Sequence, residues 1–560
     1  MQKLELTWIG KNEQPQVEPR ILLHDPSKDY GDPNSQNMLI HGDNLLALKA
    51  LEQEYAGKIK CIYIDPPFNT GARIDANGKE IGYDDGIEHS IWLELMAKRL
   101  KIIYNLLSKD GALFVHLDDN EVDYCRVLID EIFGRRNFMN RITIDSRSPS
   151  AFSTVNPGVF KAAEYILFYA KKRANLVENQ LRIERTPDYA YDKYILNIED
   201  DYKNWRFSSV SDAYAKEAPS LTIKPQTALK NYNKFIIKNA HRIFRFTSIS
   251  DTGAGQAIVA AKYKSKEHPT EFFKIERENL DDIFILNGQQ VSFYQKNIAK
   301  IDGKECASKI LTDIWNDIAW EGIASEGGVR FKKGKKPERL IKRCLELVTS
   351  PGDLVLDSFL GSGTTAAVAH KMNRKYIGIE MGQHCYSLCK PRLDRIIDGT
   401  DTTGISRIVN WHGGGGYKFY ELAPTLIEKD KYGNPIFSEQ YNATMLAAAV
   451  AKINGFTYAP DKEIYWKQGY SQGKSYIYVT TQYLTAKQLD SIASEITDFE
   501  QLLICAPAFD NGLNKRYDNI NIRKIPQSVL DKCEFGVENY NLNIISPPVI
   551  DENEWEDEEE

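Results

Sequence analysis

Residues 65–68, Asp-Pro-Pro-Phe, close an apolar run at 60–64 that reads as a short buried strand. Pro66 and Pro67 stiffen the backbone and have no N–H to donate, so their carbonyls are left as acceptors. Asp65 adds a carboxylate acceptor and Phe68 a flat apolar face. Two acceptors beside a ring suit an aromatic amine, such as the exocyclic NH2 of a nucleobase. The base stacks, the acceptors take the amine hydrogens, and electron density returns to a poorly nucleophilic nitrogen. A proline-stiffened turn with a capping aspartate is the structural alternative for the same residues.

A second string runs Asp357-Ser358-Phe359-Leu360-Gly361-Ser362-Gly363-Thr364-Thr365. An apolar strand at 354–356 enters a glycine-rich turn that opens an alanine-rich helix. Gly361 and Gly363 permit tight curvature and close approach of a ligand. The free N–H groups of the helix start suit an anionic group, a carboxylate or phosphate. A phosphate loop fits poorly, because no Gly-Lys-Ser/Thr follows, and so does a dinucleotide fingerprint, because the third glycine is missing. Glu380 ends the next apolar run at 375–379, where an acid can accept hydrogen bonds from ribose hydroxyls.

The elements around these strings alternate. A short strand and turn are expected over 38–44, strands at 60–64, 112–117, 354–356 and 375–379, and helices at 45–55, 89–107, 120–133, 337–348 and 383–396. That rhythm predicts an α/β fold with a parallel sheet covered on both faces. It lapses between 141 and 330, where short aromatic and basic segments suggest an insertion, and a separate unit is expected over 421–550.

The net charge of −7 averages unlike parts. Residues 421–560 carry 12 Lys/Arg against 23 Asp/Glu, eight of the acids in the last ten residues. Residues 221–270 carry nine basic residues against Asp251 and Glu267. A basic middle permits a polyanionic partner. The eight cysteines form no Cys-x-x-Cys pair, so neither a disulfide framework nor a zinc ribbon is expected. His384, Cys385 and Cys389 are read as helix packing, and no metal is expected. With no run of about 18 apolar residues and no apolar leader, the chain reads as cytoplasmic, without a membrane span.

Asp65 to Phe68 resembles motif IV of the DNA methyltransferases that methylate amino groups, and Phe359 to Gly363 resembles their motif I, which binds S-adenosylmethionine. Motif IV precedes motif I, with an insertion between, as in the β class. His41-Gly42-Asp43-Asn44, the DPPFNTG string from Asp65, and RKYIGIE from Arg374 to Glu380 resemble the Mod subunits of type III restriction–modification systems. The resemblance implies a Rossmann-like, circularly permuted S-adenosylmethionine-dependent methyltransferase sheet, split by a target-recognition insertion and followed by a small C-terminal α/β module. The corresponding segments are an N-terminal extension at 1–37, catalytic parts at 38–150 and 330–420, the insertion at 151–329, the module at 421–550 and an acidic tail at 551–560.

By the same resemblance Asp65, Pro66, Pro67 and Phe68 are the catalytic residues. Asp43, Asp357, Phe359, Gly361, Gly363, Thr364, Thr365, Glu380 and Lys336, the last within a Lys-Pro-x-x-Leu string like motif X, belong to the cofactor site. The implied activity is methylation of adenine N6 in double-stranded DNA by base flipping, with a homodimer and a Res helicase–nuclease as partners. A solitary adenine-N6 or cytosine-N4 methyltransferase is the alternative.

Overall fold

The computed structural model describes residues 5–8, 11, 17–69, 73–74, 80–81, 85–146, 159–217, 225–278, 280–320, 322–331, 334–429, 431–432 and 434–525. The chain divides into two compact units, one of residues 1–179 and 313–560 and one of residues 180–312.

The first unit is built on an eleven-stranded mixed sheet. Its main strands are β1 (Leu22–His24), β2 (Met38–His41), β3 (Ile59–Ile64), β4 (Leu107–Leu117), β5 (Phe138–Asp145), β6 (Ala163–Ala170), β7 (Ile314–Trp315), β8 (Leu354–Asp357), β9 (Lys375–Glu380) and β10 (Gly416–Leu422). They lie in the order β1-β10-β2-β9-β8-β3-β4-β6-β5-β7, with Tyr30–Gly31 also paired to β10. The run from β10 to β4 is parallel throughout. β6 then pairs antiparallel to both β4 and β5.

Strands buried on both faces read as continuous apolar runs. Cys61, Ile62, Tyr63 and Ile64 of β3 are buried, as are Val355 and Leu356 of β8. The helices are α1 (Asn44–Tyr55), α2 (Asp85–Leu106), α3 (Val122–Ile129), α4 (Glu338–Val348), α5 (Thr364–Lys371) and α6 (Lys390–Ile397). α5 is buried along its whole length; its three alanines let it press against its neighbours. One apolar core joins β2, β3, β4, β8 and β9 to α1, α2 and α3.

Two features differ from the expected elements. β4 begins at Leu107, not 112, because the Lys-Asp-Gly segment continues the strand through an irregularity in its pairing with β3. The expected helix at 383–396 is a π turn at Cys385–Cys389 followed by α6.

Residues 180–312 hold a six-stranded antiparallel sheet, a three-stranded sheet and the helices Val210–Glu217, Pro225–Lys238 and Gln256–Glu267. This unit is narrower than the 151–329 span: β6 and β7 lie inside that span yet belong to the large sheet. Past β10, the strands Thr457–Tyr458, Gly469–Tyr470, Ser475–Val479, Gln501–Ala506 and Ile520–Lys524 form a sheet of their own, its last three strands parallel. Among the described residues, no helix is long and apolar enough to cross a membrane.

Candidate active site

Asp65 is the first residue past β3, and Asp357 is the last of β8. These strands are parallel neighbours, with Cys61 opposite Val355 and Ile62 opposite Leu356. The chain leaves β3 toward β4 on one side and β8 toward β9 on the other. Open α/β sheets form a ligand crevice where strand order reverses in this way. Both strings therefore open on one rim.

The loop after β3 is braced. Trp92 of α2 donates Nε1–H to the Pro67 carbonyl at 2.7 Å, and Asn120 Nδ2 lies 3.4 Å from the Phe68 carbonyl. Asn69, in the left-handed region at φ 53°, donates to buried Glu121 at 2.6 Å. Among the described residues nothing donates to the Pro66 carbonyl. The fork of acceptors expected at this turn is thus Asp65 and Pro66, while Pro67 is occupied in holding it.

Beneath Asp65 lies a chain of polar groups. Lys336, 6% exposed, places Nζ 3.3 Å from Asp65 Oδ1 and 3.2 Å from Glu164 Oε2. The contact with Asp65 is an ion pair whose angles fall outside a hydrogen bond. The same ammonium sits over the Phe68 ring, 4.6 Å from its centroid. His116 Nε2 lies 2.7 Å from Glu164 Oε2, and its Nδ1 is 2.7 Å from the Tyr63 hydroxyl. Burial pushes the His116 ring toward its neutral form, with the Lys336 charge adding to the effect. In the tautomer that fits these partners, Nδ1 accepts from Tyr63 and Nε2–H faces Glu164. Burial works against the charge on Glu164, but His116 and Lys336 outweigh it and hold the carboxyl well below its usual range. Asp65 differs: burial raises its carboxyl above the usual range despite the opposing pull of Lys336 and His116.

The turn after β8 is closed by Asp357. Its Oδ1 accepts the Phe359 N–H at 2.9 Å and its Oδ2 the Thr365 hydroxyl at 2.6 Å. Burial pushes its carboxyl up to about 7, against the pull of those two bonds. Gly361 and Gly363 adopt φ of 57° and 81°. A Cβ on Gly363 would lie 3.4 Å from the Cys389 Cα, whereas one on Gly361 would meet nothing nearer than 3.9 Å. Glu380 accepts the Gly361 N–H on Oε2 at 2.7 Å and the Gly382 N–H on Oε1 at 2.9 Å.

A buried ion cluster supports the turn from behind. Arg392 donates to Thr364 Oγ1 at 2.8 Å, to the Ser362 carbonyl at 3.1 Å and to Glu338 at 2.8 Å. Lys371 pairs with Glu338 at 2.8 Å and with Asp401 at 2.7 Å. Burial alone would raise the Glu338 carboxyl, but Arg392 and Lys371 outweigh it and lower it.

Residues 59–391, more than half of the chain, match a family model described as DNA methylase. The chain belongs to the DNA methylase family. Among relatives of this methylase, the probable type III restriction-modification enzyme HindVI Mod subunit of Haemophilus influenzae is 35% identical over 417 residues, 70% of this chain and 54% of that protein. The type III EcoPI Mod subunit of Escherichia phage P1 is 27% identical over 419 residues, 67% of this chain and 62% of that protein. The matched region thus spans less than two thirds of either relative. A solved DNA modification methylase of Thermus thermophilus, complexed with S-adenosyl-L-methionine, aligns with a TM-score of 0.32 at 13% identity, covering 69% of this chain and 98% of that one.

The expected residues fall in the methylase as follows. Asp65, Pro66, Phe68, Asp357, Phe359, Gly361, Gly363 and Glu380 lie on or just behind one rim. Asp43 caps α1, accepting the Leu46 N–H at 2.9 Å, next to the end of β9, where Gly42 N–H meets the Glu380 carbonyl. The hydroxyls of Thr364 and Thr365 turn inward to Arg392 and Asp357, since a buried hydroxyl needs a partner. Lys336, expected on the cofactor side, lies instead against Asp65 and Glu164. Cys389 donates to the Gly361 carbonyl, Cys385 is buried, and His384 Nε2 lies 2.9 Å from Glu380 Oε1. Thr70 and Gly71 of the DPPFNTG string, Lys332, Lys333 and residues 551–560 lie outside the described residues.

Sequence reading missed His116, Glu164, Trp92, Arg392 and Glu338. A weak signal existed for two of them: His116 and Glu164 are the lone polar side chains in the otherwise apolar stretches 112–117 and 163–170.

Proposed function

We propose that the chain transfers a methyl group from S-adenosylmethionine to the N6 amine of adenine in double-stranded DNA, as the modification subunit of a type III restriction–modification system. The observation that carries this reading is the juxtaposition of Asp65-Pro66-Pro67-Phe68 with the Asp357–Thr365 turn on adjacent parallel strands. The names of the two Mod relatives support the DNA substrate and a Res partner. A homodimer is part of the same proposal.

The residues fit the cofactor. The open side of Gly361 offers room for a ligand against the backbone, and among the described residues no cation pairs with the buried carboxyl of Asp357, which suits a positively charged ligand. Glu380, which accepts two N–H bonds and meets His384 Nε2 at 2.9 Å on Oε1, retains a lone pair on Oε2 for a ribose hydroxyl. When bound, S-adenosylmethionine supplies an electrophilic methyl group on a sulfonium.

The chain's own residues do the rest. Asp65 Oδ2 and the Pro66 carbonyl accept the two hydrogens of the target amine, and the Phe68 ring stacks on the base. Reaching a base inside a duplex requires flipping it out, which costs a few kcal/mol that stacking partly offsets. Bracing by Trp92, Asn120 and Glu121 fixes the acceptors before substrate arrives, so little reorganisation is left to the reaction. Lys230, Lys234 and Lys238 recur every fourth residue on the helix Pro225–Lys238 and are exposed, a spacing suited to DNA phosphates.

The test is Asp65→Ala, assayed by mass spectrometry of nucleosides from methylated DNA. Wild type should yield N6-methyladenine and the variant at least about 100-fold less. Wild-type product from the variant would refute the chemistry, and N4-methylcytosine from the wild type would replace the substrate base.

A further inference from the structure

Lys336 is the buried cation of the site, yet a point charge on a flexible stem is costly to enclose. It is held by Glu164, which His116 and Tyr63 in turn orient. What it faces is the oxygen of Asp65 that is itself enclosed: Oδ1 is buried and has no hydrogen-bond partner. Among the described residues no hydrogen bond reaches Oδ2, so that oxygen remains for a donor from outside.

A carboxylate this enclosed tends to take up a proton, because burial penalises its charged form. Once protonated it would present a donor in place of an acceptor, which is the wrong partner for an amine. Of the other titratable groups that face Asp65, Glu164 of β6 and Asp357 of β8 are carboxyls and Tyr63 of β3 is neutral, while His116 of β4 pulls in the same sense as Lys336 but is itself driven toward neutrality. Lys336 supplies the larger opposing pull.

We propose that Lys336 is a positioning residue for methyl transfer. Shared between Asp65 and Glu164 and seated over Phe68, its ammonium keeps Asp65 ionised and turned with Oδ2 toward the target amine, while Glu164 and His116 keep the ammonium in place. This rests on the reading that Asp65 receives the amine. It moves Lys336 from the cofactor half of the site to the base half.

The experiment measures single-turnover methylation of DNA from a host lacking adenine methylation, between pH 5.5 and 9, with the full chain. The variants are Lys336→Met, Lys336→Arg, Glu164→Gln and Asp65→Asn, and calorimetry gives S-adenosylmethionine affinity. Loss of Lys336 should move the acid limb of the rate profile up by at least about one pH unit, a tenfold loss on that limb. The rate should partly recover at pH 9, and cofactor affinity should stay within about threefold. Lys336→Arg restores the charge and should return the limb toward wild type; Glu164→Gln loosens the ammonium but also removes a charge that raises Asp65, so its limb should move less than that of Lys336→Met. If Lys336→Met fails to fold, Lys336→Gln takes its place. A limb that coincides with wild type in the folded neutral variant overturns the proposal, as does weakened cofactor binding with the limb unmoved. Activity retained by Asp65→Asn would instead refute the assignment of Asp65, whatever Lys336 does.

Discussion

Asp357 makes the stability of this methylase depend on pH in an unusual direction. Its side chain is 3% exposed, and burial lifts its carboxyl from 3.8 to about 7. Between pH 4 and 7 the unfolded chain has therefore lost this proton while the folded chain retains it. Stability falls as pH rises wherever the folded state binds more protons. The loss begins near pH 4 and is complete just above pH 7. Three pH units at about 1.4 kcal/mol each set its size at no more than about 4 kcal/mol. Asp357→Asn removes the titration and preserves the geometry: the amide oxygen accepts the Phe359 N–H, and the amide nitrogen can donate to Thr365 Oγ1. In urea denaturation without cofactor, the variant should gain on wild type progressively from pH 5 to 8, and the two should converge toward pH 4. A cation brought to the turn restores part of the loss, so wild-type affinity for S-adenosylmethionine should rise over the same interval and that of the variant should not. Parallel stability curves at all pH values would refute the assignment of this penalty to Asp357.

Two further outcomes follow from the structure. Glu338→Ala strands Arg392 as an unpaired buried cation behind the glycine turn and leaves Lys371 with Asp401, and should cost about 3–5 kcal/mol by denaturant titration, with cofactor affinity falling as the turn loosens. Replacing Lys230, Lys234 and Lys238 together by Ala should leave cofactor binding unchanged; DNA binding should weaken and its log–log salt dependence flatten by up to about 3, close to 0.9 for each phosphate no longer neutralised.

The rim was legible because each half is punctuated by residues with few conformational options. Prolines cannot continue β3, and glycines at positive φ mark the exit from β8, so both strings stand out against apolar runs. Their adjacency was less local, since only the register of β3 on β8 brings them together. The partners of Lys336 were hidden for the same reason. Glu164 lies 172 residues away in sequence, and the antiparallel pairing of β6 with β4 is what brings it into range of His116. The compact unit at 180–312 is narrower than the stretch over which the sequence rhythm lapses. β5 and β6 pair as antiparallel neighbours, a pairing that needs no crossover helix, so the alternation of strand and helix lapses before the large sheet does. Arg392 and Glu338 sit on amphipathic helices where charged residues ordinarily face water; that both are fully buried follows from tertiary packing alone.

The seam between β3 and β8 also has a consequence for synthesis. Cys61 must wait for Val355 before the edge of β3 facing β8 is paired. Val355 follows Cys61 by 294 residues, which at about 5–20 residues per second take roughly 15–60 s to translate. For that interval the nascent chain carries the Asp65–Phe68 loop on an unpaired, strongly apolar strand edge, the kind of surface that recruits other strands. Newly made protein is therefore most vulnerable to aggregation, and most dependent on chaperones, during the stretch when residues 65–353 are emerging, long before the two halves of the rim can meet.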